Sequence, residues 1–410
     1  MIDVDGDEYR LGFLPARGPS WEAPLQGGVR QLRDARATAI DALTALKAKL
    51  FDWQDTTGFV GRWEPVDDAM KSLDQLSISL LQELLQPNPA EELFRLLHTL
   101  HIAVKSAESS GLRPFIDISC TPATILPFEI LPLTDELPVE NILDAQDLGA
   151  AAGRFIGFRT STRVTFRGVP LPSVAEHDNL ERLRALVLRD ASLNHADREV
   201  CDLGGFGAID LLGPMPEEGC TSKDFLAMLV HDLLGSVDDI GGAVRIADLV
   251  HVISHCETDS TEERSHRFSF AGTPAESSRF WVEARDLESA LLAEQRRRYA
   301  IYGNLPASRP ALVFANACGS ARLSLEGSGR FPRFFVNRAG VPTYIGPLVS
   351  IPDQVAASFS PYVYRHLMDG VPVAHALSLA RSEFLHDYRN PLSIVYTMFG
   401  FPDTTITTSD

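Results

Sequence analysis

The sequence predicts an α/β protein, with a mostly parallel sheet covered by helices and a helical region ahead of it. Three observations lead there. Apolar residues in the first hundred positions recur at helical spacing. Beyond residue 179, short continuous apolar runs alternate with amphipathic stretches, the texture of buried parallel strands joined by helices. The segment between these two has β-type runs broken by proline and glycine.

Taken in order, Val29, Leu32, Ala35, Ala39, Leu43, Leu46 and Leu50 fall three and four apart, on one helix face. Met70, Leu73, Leu76, Leu80, Leu81 and Leu84 make a second stripe. After Pro87, Asn88 is the expected N-cap and Pro89 the first residue of a third helix through Ala103. Residues 1–110 are thus expected to be helical. Residues 111–175 read as a β-rich segment packing on the next domain, with strands at Phe115–Ile118 and Arg163–Phe166. A linker is expected at Gly168–Ser173.

Residues 176–410 carry the regular pattern. Strands are expected at Ala185–Leu188, Ala208–Leu212, Ala247–Ser254, Ala311–Ala315, Val341–Ile345 and Ser393–Phe399. Helices are expected over Thr221–Leu234 (capped by Thr221 or Ser222), Leu287–Tyr302, Asp353–Met368 and Val373–His386. The polar end from Thr404 to Asp410 is expected to fray.

With 410 residues, 45% of them hydrophobic, the chain can bury a sizeable core without staples. Its net charge of −18 repels phosphate backbones and anionic lipid, which argues against direct nucleic-acid or membrane-surface binding. Five cysteines with no CxxC pair argue against a disulfide framework or a four-cysteine zinc site. The acidic start lacks the basic and apolar segments of a secretory signal, and no apolar run is long enough for a membrane span. A cytoplasmic protein is the expectation.

Two expected strands run into reactive side chains, where functional groups of open parallel sheets gather. One leads to His255-Cys256, the other to Asn316-Ala317-Cys318-Gly319-Ser320. If the strands pair in parallel, His255 and Cys318 come side by side. An imidazole beside a thiol makes or stabilises the thiolate and can later protonate a leaving group. Backbone N–H groups of Cys318 and Cys256, at turns after the strands, are candidate oxyanion donors. The alternative is an inert buried cysteine with a core histidine nearby.

Several stretches in this order resemble the CHAT family of caspase-like cysteine proteases, in the clan of caspases, gingipains and separase. Leu126-Pro127-Phe128-Glu129-Ile130-Leu131 resembles an early family element, Leu249 to His255 the strand of the catalytic histidine, and Leu312 to Ser320 the strand presenting the nucleophile. Gly346 to Asp353 resembles the family's Trp-x-Val-x-Asp segment, and Gly370 to Leu377 with Ala380-Arg381 its closing helix. The resemblance covers about two thirds of the chain. It implies a caspase-like α/β/α sandwich with His255 as general base and acid and Cys318 as nucleophile, working with no cofactor or metal.

The sequence departs from the family at two positions. Cys256 stands where glycine usually follows the histidine, so that turn must accept an L-residue, and it puts a second thiol near the site. Pro347 stands for the usual tryptophan. Asp353 corresponds to the separase aspartate that holds the arginine before the cut bond. It is either the carboxylate of an S1 pocket for Arg or Lys or a helix cap.

Other candidates carry less. His251, His255 and Cys256 lack a further ligand pair for zinc. His98 and His101 read as helix-surface or core residues, and Arg296–Arg298 as a solvated face or a docking patch. Leu203–Gly207 precedes a strand, the wrong context for a dinucleotide loop. Glu257–Arg267 reads as a polar loop after the histidine, with Arg264 and Arg267 as self-cleavage points if cutting follows arginine.

The resemblance therefore implies a bacterial cysteine endopeptidase. Its substrate would be a protein with a basic residue at the cleavage site, such as a gasdermin-like pore former or a toxin–antitoxin regulator in a defence pathway. An activating protein partner would supply the trigger. The rival reading is a catalytically silent caspase-like scaffold that only binds partners.

Overall fold

The computed structural model describes residues 2–5, 8–13, 21–25, 28–84, 89–120, 126–133, 141–166, 182–237, 243–258, 266–273, 279–303, 308–321 and 331–406. These form two compact units. One holds the described residues up to 166 with Leu377–Thr397, and the other holds the remainder.

The first unit opens with a small antiparallel sheet, β1 (Ile2–Asp5), β2 (Glu8–Phe13) and β3 (Trp21–Leu25), ahead of the expected helices. Runs this short carry little periodicity of their own. Helices α1 (Gly28–Phe51), α2 (Trp63–Leu84) and α3 (Pro89–Ser109) follow. The α1 stripe is buried from Ala35 through Ala39, Leu43 and Leu46 to Leu50, as its spacing requires. Helix α3 begins at the expected Pro89 and runs past Ala103, while Asn88 lies outside the described residues. Next come β4 (Phe115–Cys120), α4 (Ala145–Ala152), α5 (Ile156–Arg159) and β5 (Ser161–Phe166), with β4 and β5 paired in parallel. Asp144 caps α4 by accepting from the N–H groups of Gln146 and Asp147.

Two of the family-like stretches meet inside this unit. Glu129, in a buried turn, lies 3.6 Å from the guanidinium of the fully buried Arg381. Arg381 also donates to the carbonyls of Gly157 and Tyr396, and Thr397 donates to Glu129. Burial raises the Glu129 pKa, an effect the facing Arg381 opposes.

The second unit contains β6 (Leu183–Arg189), α6 (Ala196–Gly204), β7 (Ile209–Met215), α7 (Ser222–Leu234), β8 (Ser236–Val237), β9 (Ala243–Val244), β10 (Leu249–Thr258), β11 (His266–Phe270) and β12 (Phe280–Glu283). It continues with α8 (Ala284–Tyr302), β13 (Leu312–Ala317), the short turn α9 (Phe331–Arg333), β14 (Thr343–Pro347) and α10 (Asp353–Met368). Helix α11 (Val373–Tyr388) and strand β15 (Tyr396–Gly400) run across the unit division. Strands β7, β6, β10, β13 and β14 lie side by side in parallel. The second half of β10 turns to antiparallel pairing with β11, which pairs with β12. Every residue of β13 is buried, which explains its unbroken apolar run. The mixed α/β class, the mostly parallel sheet and the helical N-terminal region are as expected.

Three details differ from the expectations. Thr404 is fully buried and bonded to Thr343, and Ile406 is buried, so the chain is held this far; residues 407–410 lie outside the described residues. The last strand starts at Tyr396, after a 3-10 turn at Pro391–Val395 capped by Asn390. Arg298 is not part of a solvated face: it is buried, pairs with Glu294 and donates to the Leu234 carbonyl. The expected linker at Gly168–Ser173 lies outside the described residues. Among the described residues, no helix is long and apolar enough to cross a membrane.

Candidate active site

Strands β10 and β13 pair in register from Leu249 opposite Leu312 to Ser254 opposite Ala317. The next residues are His255, still on β10, and Cys318, the first residue past β13. Side chains alternate along a strand, so His251, Ile253 and His255 share a face with Phe314, Asn316 and Cys318. Rings of His251 and Phe314 stand 5.4 Å apart on that face. Its outer end opens into a cavity of about 280 Å³ lined by His255, Cys318, Asn316, Glu199, Ser350 and Asp353, among others.

Cys318 sits on a sharp turn that depends on its neighbour. Gly319 has φ +64°, a conformation glycine adopts without steric cost. The Gly319 N–H donates to the Val349 carbonyl at 3.1 Å, and Ser320 Oγ donates to the Ala315 carbonyl at 2.9 Å. In its thiol form Cys318 donates to the Ile351 carbonyl at 3.3 Å. The turn is thereby tied to the segment leading into α10.

The two side chains shift each other's protonation in opposite directions. Burial alone would raise the Cys318 thiol, but hydrogen bonds from His255 and Ser350 overcome it and hold the pKa below the ordinary value. His255 is held above its ordinary value, first by its hydrogen bond with Cys318 and against partial burial, with the Cys318 and Asp190 charges adding to the rise. An imidazolium beside a thiolate is the state these shifts favour.

Asp190 and Ser350 escaped the sequence reading. Asp190 follows β6 and is fully buried. It accepts from the Ser192 hydroxyl and N–H and, on its other oxygen, from Ser269 Oγ at 2.6 Å. Arg279 lies 4.0 Å from it and donates to Ser192. A lone aspartate after an apolar strand has no spacing that marks it. The only sequence signal was its place at a strand's carboxyl end.

Cys256 does not occupy a turn. Strand β10 continues through it to Thr258, with Cys256 opposite Phe268, so the glycine the family uses is not needed for a positive φ here. Its thiol is buried and pushed far up by that burial, the wrong direction for a nucleophile. Glu257 and Arg267 are likewise not loop residues. They face each other across the β10–β11 pair and form an ion pair at 2.7 Å. Arg264 lies outside the described residues.

Asp353 is the first residue of α10. The cap position is Pro352, which makes no side-chain cap bond, and Asp353 borders the cavity. Pro347, in the place of the family's tryptophan, ends β14 and accepts from the Ala321 N–H.

His251 belongs to a buried polar chain behind the cavity. Its Nε2 bonds Glu199 Oε1 at 2.9 Å and its Nδ1 bonds the Tyr364 hydroxyl at 2.8 Å. Asn316 Nδ2 donates to the same Glu199 oxygen at 2.5 Å and to the Ala356 carbonyl at 2.8 Å. His251 is thus a satisfied core histidine. Among the described residues, no group of three metal-ligating side chains is placed to hold an ion.

The family model of the CHAT domain matches residues 169–396, more than half of the chain. The chain belongs to the CHAT domain family. All of the cavity lining, from Ser192 to Ala356, falls inside the CHAT domain. Two crystal structures of the Saccharomyces cerevisiae separase–securin complex, at 2.6 and 3.0 Å resolution, are similar to this CHAT protein at 12% identity, with TM-scores of 0.45 and 0.46. They cover 99% and 98% of this chain, which spans only 30% and 29% of theirs. No curated protein matches the sequence.

Proposed function

We propose that the protein is a caspase-like cysteine endopeptidase. The observation that carries this reading is the hydrogen bond between His255 and Cys318, just beyond the paired stretch of β10 and β13, with the imidazole raised and the thiol lowered. In the proposed reaction His255 takes the Cys318 proton, and the thiolate attacks the scissile carbonyl. Backbone N–H groups of Cys318 and Cys256 face the oxyanion. His255 then protonates the departing amine, leaving a thioester on Cys318. Water deprotonated by His255 hydrolyses the thioester and restores both side chains.

Asp353 is the proposed specificity carboxylate, selecting Arg or Lys before the cut bond. Its position at the cavity border supports that role. The substrate is a specific protein with an accessible basic loop, cut in a defence or regulated-proteolysis pathway of the cytoplasm, and a protein partner supplies activation.

A fluorogenic peptide library varied at the residue before the cut, run beside Cys318→Ala, tests the reading. Cleavage after Arg or Lys that disappears in Cys318→Ala is expected. Cleavage surviving in Cys318→Ala would overturn it. So would a lack of cleavage of any basic peptide or of proteins encoded beside it.

A further inference from the structure

Resting on the endopeptidase reading, we infer that Glu199 supplies the charge at the floor of the specificity pocket. The arginine or lysine of the substrate would then be the missing cation of a half-made ion pair.

The argument begins with how Glu199 is held. Its carboxylate is 2% exposed, in a helix packed beneath α10, yet it lines the cavity that Cys318 lines. Both donors to it, His251 Nε2 and Asn316 Nδ2, bond the same oxygen, Oε1. Neither uses Oε2. Asn316 spends its other N–H on the Ala356 carbonyl, which fixes the amide's orientation.

With every group satisfied, the Tyr364 hydroxyl donates to His251 Nδ1, and Nε2–H donates to the carboxylate. The carboxylate is then met by a histidine N–H and an amide N–H, and by no guanidinium or ammonium. Among the described residues, no lysine or arginine pairs with Glu199, and none lines the cavity. Arg279, beside the cleft, is turned to Asp190 and Ser192. A buried carboxylate that meets no guanidinium or ammonium is costly unless a counter-charge arrives, and the cavity is the side left open for one.

Distance and size fit a single basic side chain. Asn316, which holds Glu199, precedes Cys318 by two residues on the same strand face, a rise of about 7 Å. An arginine or lysine reaching inward from a carbonyl at Cys318 spans that depth. The cavity, at about 280 Å³, falls below the ~300–1,000 Å³ of pockets for larger ligands. Asp353 stands at the border and Glu199 at the floor, so the head group meets two carboxylates.

The test uses the full chain and measures iodoacetamide alkylation of Cys318 by peptide mass mapping. Agmatine, an arginine side chain without its backbone, is the probe, and n-butylurea is its neutral counterpart. Agmatine should slow alkylation at least about tenfold, and n-butylurea should not. Glu199→Gln should raise the protecting agmatine concentration about tenfold or more, and Glu199→Asp by less.

Equal protection in Glu199→Gln and wild type would overturn the assignment, as would equal protection by both probes. If Glu199→Gln does not fold, Glu199→Asp and the comparison of the two probes still decide. Agmatine protection without cleavage of any peptide would keep the pocket and sink the endopeptidase reading. Cleavage without agmatine protection would do the reverse.

Discussion

Ser269 lies directly across from His255 in the β10–β11 pair, and its hydroxyl donates to the buried Asp190 carboxylate at 2.6 Å. The negative charge behind His255 is therefore anchored by the strand that pairs with it. Asp190 contributes to the raised imidazole pKa. Replacing Asp190 with Asn removes that contribution, so the imidazolium weakens and Cys318 loses part of its support. The pH profile of Cys318 alkylation should move upward, with a several-fold slower rate at neutral pH. Ser269→Ala should move it the same way by less. An unchanged profile in both would show that Asp190 serves only structure.

The pH dependence has a definite sign at the dyad itself. Cys318 is lowered and His255 raised, so both shifts favour the thiolate–imidazolium pair, which acid dismantles by protonating the thiolate and base by deprotonating the imidazolium. Wild-type alkylation should persist below the ordinary thiol value of about 8.5. His255→Ala removes the stabilising hydrogen bond and charge, so the profile should shift upward. Peptide activity should fall by about 10²–10⁴. Cys256 should remain unlabelled at pH values where Cys318 reacts, since burial pushes its thiol up.

Gly346 leaves no room for a side chain. A Cβ there would come within 2.5 Å of Ser320 Oγ, the hydroxyl that ties the Cys318 turn to the Ala315 carbonyl. Gly346→Ala should therefore cost about 1–3 kcal/mol by overpacking and slow Cys318 alkylation. Thermal unfolding and alkylation measured together check this. A variant that loses stability but keeps the wild-type alkylation rate would separate the strand from the turn.

The buried Glu129–Arg381 pair should behave as a unit. Glu129→Ala strands the Arg381 guanidinium without its carboxylate and should cost about 3–5 kcal/mol. Arg381→Met in the same chain should recover much of that loss, because no unpaired charge then remains. Urea unfolding midpoints of the two variants decide. A double variant no more stable than Glu129→Ala would show that the bonds from Arg381 to the Gly157 and Tyr396 carbonyls outweigh the ion pair.

The elements legible in the sequence were those with strong local patterns. The apolar runs of β10 and β13, each ending in a reactive side chain, gave away the sheet and the meeting of His255 with Cys318. The cap at Thr221, which accepts from the Asp224 N–H, was equally readable. What stayed hidden depends on contacts distant in sequence. Glu199 looks like an ordinary helix-surface residue until α10 covers it, and Asp190 gains meaning only through Ser269. Strand β10 runs beyond Ser254 because β11 pairs with the polar residues that follow. Without that partner, polar residues after an apolar run read as a loop.

The parallel register of Ser254 and Ala317 also bears on how the protein is made. Parallel neighbours cannot be joined by a tight turn, so the chain between them must cross over before they meet. A nascent chain that has emerged as far as His255 holds half of a reactive pair. It gains the other half only when Ala317 docks beside Ser254. Until then its cysteine is an ordinary thiol and its histidine an ordinary imidazole. In truncated or half-folded copies the two side chains stay apart, so the proposed chemistry waits on the completed tertiary structure.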